Sequence, residues 1–288
     1  MCFMRLTILG CSGSVGGPRA ACSGYLLEVD GHDPVVMDFG PGVLGELQQR
    51  VDPNTVTVML SHLHADHCLD VPSLLVWRRY HPEPAVGRAR LMGPADTPER
   101  LGRASAETAA MLDDISDTFD FSAWEEGDDH AVGGFTVRPY RMFHPPESHG
   151  LRITAPSGTV LAYTGDTGVC DNLVELARGA DVMLAEASWT HDPANRPLGV
   201  HLSGVEAGQA AADAGVGRLL LTHIPPWTSR EAVLAEAPGR GLGREPLPLV
   251  GVVPQHPADL VLGPGVGEPR AGHADGALGA GVDAHRVR

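Results

Sequence analysis

A chain of 288 residues, 43% of them hydrophobic, can bury a sizeable core in one large domain or two small ones, and none of its apolar runs is long enough to span a membrane. Against 21 Lys and Arg stand 36 Asp and Glu, a formal net charge of −15. That balance disfavours holding a long polyanion by counterion release, without excluding a small phosphate ester.

In chain order, the apolar stretch at 4–11 is too short for the h-region of an export signal and reads as a first strand over 5–9. The Cys11-Ser12-Gly13-Ser14 loop after it offers hydroxyls and backbone donors. Strands at 25–29 and 35–38, joined by a turn at Gly31-His32-Asp33, predict an antiparallel start. Helical spacing follows over 43–51.

A buried strand is expected at 56–60, and directly after it comes Ser61-His62-Leu63-His64-Ala65-Asp66-His67. Three imidazoles and a carboxylate within six residues make a metal site. In an extended loop His62 and His64 point the same way while Asp66 and His67 begin the next turn, so the four groups can divide between two adjacent cations. A structural zinc site would favour Cys and close four positions around one ion. A His-rich set with carboxylates suits partly open, catalytic metals. Cys68 reads as a small apolar thiol opening a packed helix rather than as a ligand. With Cys2, Cys11, Cys22 and Cys170 it makes five cysteines, an odd number without CxxC spacing. That argues against a disulfide framework and fits a cytoplasmic location.

Helices are expected at 71–80 and 97–112, then strands at 135–143, 151–154 and 159–163. From there strand and helix alternate: helix 171–178, strand 182–186, helix 204–214 and strand 218–222. Ser203 with Glu206 three residues later forms a capping-box signature for the second of these helices. His144, Asp166 and His223 each fall at the carboxyl end of an expected strand, the placement a site on one edge of a sheet requires.

With these motifs in this order, the chain resembles the metallo-β-lactamase-fold hydrolases, and within them the RNase Z-like phosphodiesterase branch that includes actinobacterial cyclic-nucleotide phosphodiesterases. The resemblance spans about residues 4–236 through MDFGPG, SHLHADH, FHPPESHGLRI, YTGDTG, AEAS, HLSG and LTHIPP. It implies an α/β (α+β) fold, an αββα sandwich of two mixed sheets flanked by helices, with a dinuclear centre. His62, His64 and His144 would hold one divalent ion and Asp66, His67 and His223 the other, with Asp166 bridging. Asp38 would steady the ligand loop from behind. His144 is preferred over His149 because it precedes Gly150, Arg152 and Ile153 as the family pattern requires. Zinc is the default metal for such a set, with manganese or iron also compatible.

The expected reaction is hydrolysis of a small phosphodiester, most concretely a 3′,5′-cyclic nucleotide such as cAMP, by a hydroxide bridging two cations. Asp66 would orient or deprotonate the attacking water, and His201, oriented by Glu186, would protonate the leaving oxygen. A tRNA 3′-processing endonuclease is the alternative. The short segment between His144 and Asp166 and the acidic charge count against it, so a nucleic-acid partner is not expected. A thioester or lactam hydrolase and a non-catalytic scaffold complete the alternatives. The catalytic domain is expected to cover 1–237. A divergent, poorly ordered tail rich in Gly, Pro and Ala would occupy 238–288, with at most one short strand at 247–253. His256, His273 and His285 read as solvated rather than as ligands. A missing closing strand would bare a sheet edge that a homodimer could cover.

Overall fold

The computed structural model describes residues 3–83, 85–194, 196–197, 199–237, 250–254 and 258–262. The first half runs β1 (Met4–Ser12), β2 (Ala21–Cys22), β3 (Gly24–Glu28), β4 (Val35–Met37), α1 (Val43–Leu47), β5 (Thr57–Met59), α2 (Ala65–Cys68), α3 (Val71–Tyr80), β6 (Ala89–Gly93), α4 (Thr97–Ser105) and β7 (Phe119–Ala123). The second runs β8 (His130–Val132), β9 (Phe135–Arg141), β10 (His149–Thr154), β11 (Val160–Tyr163), α5 (Asp171–Ala177), β12 (Val182–Glu186), α6 (Gly204–Ala214), β13 (Arg218–Thr222), α7 (Arg230–Glu236), β14 (Val250–Val252) and β15 (Ala258–Leu262).

The strands form two mixed sheets. One has the order β15-β1-β3-β4-β5-β6-β7 with β2 beside β1, the other β14-β13-β12-β11-β10-β9-β8. Strand periodicity decides which side chains meet. Leu6, Ile8, Tyr25, Leu27, Val35 and Met37 from the first sheet join Val137, Leu151, Ile153, Leu161, Tyr163 and Leu184 from the second in one buried layer. The alternate residues Leu26, Val36, Val58 and Leu91 pack under α1, α3 and α4 through Val43, Leu47, Leu74 and Leu101. Met183, Ala185, Leu219 and Leu221 pack under α5, α6 and α7. Helix, sheet, sheet and helix are thus stacked in that order, the expected αββα sandwich. Among the described residues no helix is long and apolar enough to cross a membrane.

The two halves share a plan: antiparallel hairpins lead into parallel strands, β4-β5-β6-β7 in one sheet and β11-β12-β13-β14 in the other. Because β1 pairs antiparallel with β3 and β3 with β4, β1 runs the same way as β4. By the same reasoning β9 runs with β11. The residues that follow β1, β4, β5, β9, β11, β12 and β13 carry the predicted site, which gathers them at strand carboxyl ends.

Several expectations are corrected. The helix expected over 43–51 stops at Leu47, where Arg50 and Val51 N–H both return to the Leu47 carbonyl in a turn toward Pro53. The helix expected over 97–112 stops at Ser105. Ala106 is extended, and Asp113 N–H donates back to the Gly102 carbonyl, folding the chain along the helix. Beyond residue 237 the chain adds β14 beside β13 and β15 beside β1, so β1 and β13 are not left bare. His256, His273, His285 and the rest of the expected tail after 262 lie outside the described residues.

The α6–α7 contact is set by glycine. A Cβ on Gly208 would stand 1.7 Å from the Ala237 carbonyl oxygen, and one on Gly204 would stand 2.2 Å from that of Val233. Gly208→Ala is therefore expected to destabilise the fold by about 1–3 kcal/mol, because backbone rather than a flexible side chain must move. A urea unfolding midpoint equal to that of the parent chain would show that the helices separate freely.

Candidate metal centre

The carboxyl end of β4 turns sharply: Asp38 has a φ of 56°, a left-handed conformation uncommon for a non-glycine residue. Its fully buried carboxylate accepts four hydrogen bonds. Oδ1 takes Ser61 N–H at 2.7 Å, while Oδ2 takes Ser61 Oγ at 2.8 Å, His67 Nδ1 at 2.8 Å and Tyr163 OH at 2.6 Å. This one side chain fixes the start of the ligand loop. Because Ser61 Oγ donates to Asp38, it must accept from His62 Nδ1 at 3.0 Å. The tautomers of His62 and His67 follow: both carry the proton on Nδ1 and present an Nε2 lone pair.

The same logic extends to the other loops. His144 Nδ1 donates to the Val200 carbonyl at 2.9 Å. His223 Nδ1 lies 3.0 Å from Ser188 Oγ, which donates to Glu186 Oε2 at 3.0 Å. Each second ring nitrogen is thereby left to face the centre.

There the ligand atoms form two groups. The first comprises His62, His64, His144 and Asp166, and the second Asp66, His67 and His223; within each group the atoms lie within 4.8 Å of one another. His144 Nε2 is 3.1 Å from His64 Nδ1, and His67 Nε2 is 3.1 Å from His223 Nε2. Two nitrogens held at about 2.0–2.1 Å by one tetrahedral zinc would be about 3.3 Å apart, so the spacing fits a shared cation. Asp166 lies between the groups. Its Oδ2 is 3.6 Å from His62 Nε2 and 3.9 Å from His144 Nε2, while Oδ1 is 3.3 Å from His67 Nε2 and 3.5 Å from His223 Nε2. His62 Nε2 and Asp166 Oδ1 are buried and lack any hydrogen-bond partner among the described residues. Unpaired lone pairs at the heart of a buried cluster are what a cation would satisfy, and His/Asp donors of this kind can hold divalent ions.

Electrostatics divide the ligands: burial opposes charge on His67, yet Asp166 and Asp38 hold its imidazole well above the ordinary histidine range. Burial pushes His62 well below the ordinary histidine range, and lowers His64 and His144, keeping these imidazoles neutral as ligands must be. Burial works against the charge of Asp166, yet the imidazoles of His223, His67 and His62 hold it well below the usual carboxylate range. For Asp66 too burial opposes the charge, and the neighbouring rings of His223, 3.0 Å from Oδ2, and His67 hold the carboxylate well below its usual range.

His201 stands beside this centre. Its Nδ1 is 3.0 Å from Glu186 Oε1, and its ring lies 5.2 Å from that of His144 and 5.5 Å from that of His223. Against the effect of burial, Glu186 lifts the His201 imidazole to about 9. Glu186 is itself held by Thr167 N–H at 2.7 Å and Ser188 Oγ at 3.0 Å.

All the predicted site residues meet at this edge of the sandwich, and His149 does not. Its Nε2 lies 3.6 Å from Glu147 and it belongs to neither ligand group. Cys68 is buried in α2, its thiol pushed up to about 12 by burial. Sequence reasoning missed the supporting donors Ser61, Tyr163 and Ser188, whereas the Cys11–Ser14 loop, singled out for its backbone donors, supplies Ser14 N–H to Asp66 Oδ2 at 2.8 Å. The signal for two of them was available: Ser61 abuts His62, and Ser188 sits two residues past Glu186. Gly13 is required for the same approach, since a Cβ there would stand 2.3 Å from the His223 carbonyl oxygen.

Residues 34–224 match the sequence profile of the family described as β-lactamase superfamily domain. The chain is similar to a Mycobacterium leprae protein described as uncharacterized, 61% identical over 81% of this chain and 82% of that one. It is similar to the probable metallo-hydrolase YhfI of Bacillus subtilis, at 30% identity over 81% of this chain and 92% of YhfI. It also resembles the ribonuclease Z of Thermobifida fusca, at 27% identity over 79% and 86%. The crystal structure of YhfI superposes with a TM-score of 0.75 at 25% identity, covering 90% of this chain and 99% of that one.

Proposed function

The chain belongs to the β-lactamase superfamily, and from that membership we propose that it is a dinuclear metal-dependent phosphodiesterase acting on a small phosphodiester, most concretely the 3′,5′-cyclic phosphate of a nucleotide such as cAMP. The observation that carries the reading is Asp166, whose two oxygens face two separate groups of imidazoles, with the His201–Glu186 pair alongside. His62, His64 and His144 would hold one divalent ion and Asp66, His67 and His223 the other, zinc being the first choice for such donors with manganese or iron compatible. Ions so placed would supply Lewis acidity toward a phosphate oxygen and a nucleophile at neutral pH.

The chain's own residues do the rest. Asp38 locks the ligand loop, and the Ser61, Val200 and Ser188 contacts set the imidazole tautomers. Asp66, fixed by Ser14 N–H and His223, is placed to orient the attacking water. His201 holds a proton near neutral pH because Glu186 favours the imidazolium, and it gives that proton to the leaving alkoxide oxygen. Glu186 keeps the donating ring in place.

Similarity to ribonuclease Z favours a second reading, tRNA 3′ processing. Two observations weigh against it: β10 and β11 are joined by a tight turn at 155–159 with no inserted arm, and the chain carries a net charge of −15. Metal-loaded protein is expected to open 3′,5′-cAMP, with activity lost in a His64→Ala control and precursor tRNA left intact. Cleavage of tRNA alone would overturn the reading.

A further inference from the structure

Four of the exposed large apolar residues sit on loops that carry the metal-binding groups or, for Val15, donate to one of them through Ser14 N–H. Phe143 precedes His144, Val169 follows Asp166 by three residues, Val15 follows Ser14, and Trp227 lies four residues after His223. Backbone contacts sort them into two flanks. Gly168 N–H donates to the Phe143 carbonyl at 2.8 Å and Phe143 N–H to Thr167 Oγ1 at 3.3 Å, which puts Phe143 and Val169 beside the group containing His144. Gly13 packs against the His223 backbone and Gly17 approaches Pro226, which puts the loops of Val15 and Trp227 beside the group containing Asp66, His67 and His223.

A phosphodiester spanning both groups therefore presents its two substituents toward apolar flanks. The flanks differ. Phe143 and Trp227 are equally exposed, at 59% and 61%, but the edge of the Phe143 ring is backed by the 199–200 loop, with Cε1 only 3.0 Å from where a Cβ on Gly199 would stand, and the indole of Trp227 is the larger π-face. A surface with net charge −15 gains little from general attraction for an anion, so affinity beyond the metal contacts must come from the non-phosphate part of the substrate. Every nucleobase has a π-face that stacks on an aromatic side chain.

Resting on the phosphodiesterase reading, we propose that Trp227 is a stacking platform that receives the nucleobase of the substrate, making this site selective for nucleoside phosphodiesters over base-free ones. Trp227 acts on binding rather than on bond cleavage.

The test is calorimetric titration of metal-loaded protein with AMP and with ribose 5-phosphate, which share a sugar phosphate and differ in the base. The parent protein is expected to bind AMP about tenfold or more tightly than ribose 5-phosphate, in line with the stacking contribution of one base. Trp227→Ala should erase that preference while leaving ribose 5-phosphate affinity unchanged, and Trp227→Phe should keep most of it. Absence of a base preference in the parent, its persistence in Trp227→Ala, or equal weakening of both ligands would overturn the assignment. Hydrolysis is read separately. A protein that cleaves no phosphodiester yet shows Trp227-dependent base preference would sink the phosphodiesterase reading and leave the platform standing.

Discussion

Asp166→Asn is expected to lower phosphodiester hydrolysis by at least about 10³-fold and to reduce bound metal from two ions per chain toward one. The substitution preserves shape and removes charge. Among the described residues Asp166 alone reaches both imidazole groups, with Oδ2 toward His62 and Oδ1 toward His67, and no other described carboxylate is placed to replace it. An amide presents one oxygen and one NH2, and the NH2 cannot serve as a ligand. Asp38→Asn provides the graded comparison. Its carboxylate touches no second imidazole group and acts through Ser61, His67 and Tyr163, so a loss of about 10- to 100-fold is expected, the usual effect of an outer contact. Metal content by mass spectrometry, turnover and an unfolding midpoint would be measured on both proteins. A folded Asp166→Asn protein that still holds two ions would show that the two groups bind independently. Equal losses from the two variants would mean that Asp38 is as central as Asp166.

What the sequence revealed divides along physical lines. Metal binding demands particular residue types at short spacing, so His62 to His67 could be read from the chain alone, and the parallel strands β12 and β13 were bounded as observed because buried strands are apolar throughout. The Ser203–Glu206 capping box is likewise present as read. Long-range pairing was not legible. β15 sits opposite β1, with Met4 across from Leu262, and nothing local marks it because a Gly- and Pro-rich stretch precedes it. The strands β6 and β7 were missed although Phe119 to Ala123 alternates inward and outward residues, because each is a run of only five residues and β7 lies half-buried at the edge of its sheet. His144 and Asp166 were read as strand ends, whereas pairing stops at Arg141 and Tyr163 and both side chains sit on the loops beyond. Apolar pattern continued past the ladder there, since Met142 and Thr164 remain buried without being strand residues. Such loops are where ligands can be aimed independently of the pleat.

His201→Ala is expected to cost about 10²- to 10⁴-fold against a substrate with an alkoxide leaving group and little against one that releases p-nitrophenolate. The contrast follows from the role assigned. A ribose oxygen is a strong base and needs a proton as the bond to phosphorus breaks, whereas nitrophenolate departs without one. A rival role exists, because Asp166, His201 and His223 lie close enough to form a third possible ion site. The charge state argues against it: Glu186, 3.0 Å from His201 Nδ1, favours the imidazolium, which has no lone pair to offer on either nitrogen. If His201 were a ligand, its removal would lower metal content and depress both substrates alike. As a proton donor, its removal leaves metal content unchanged and steepens the dependence of rate on leaving-group basicity. Glu186→Gln should behave as a partial version of the same defect. The neutral amide no longer favours the imidazolium, so less of His201 carries a proton at neutral pH, while the amide oxygen in the Oε1 position can still accept from Thr167 N–H and the amide NH2 in the Oε2 position can donate to Ser188 Oγ. A loss confined to alkoxide substrates in both variants would place proton delivery on His201. A uniform loss in both would instead make the pair a brace for His144 and His223, whose rings it packs against.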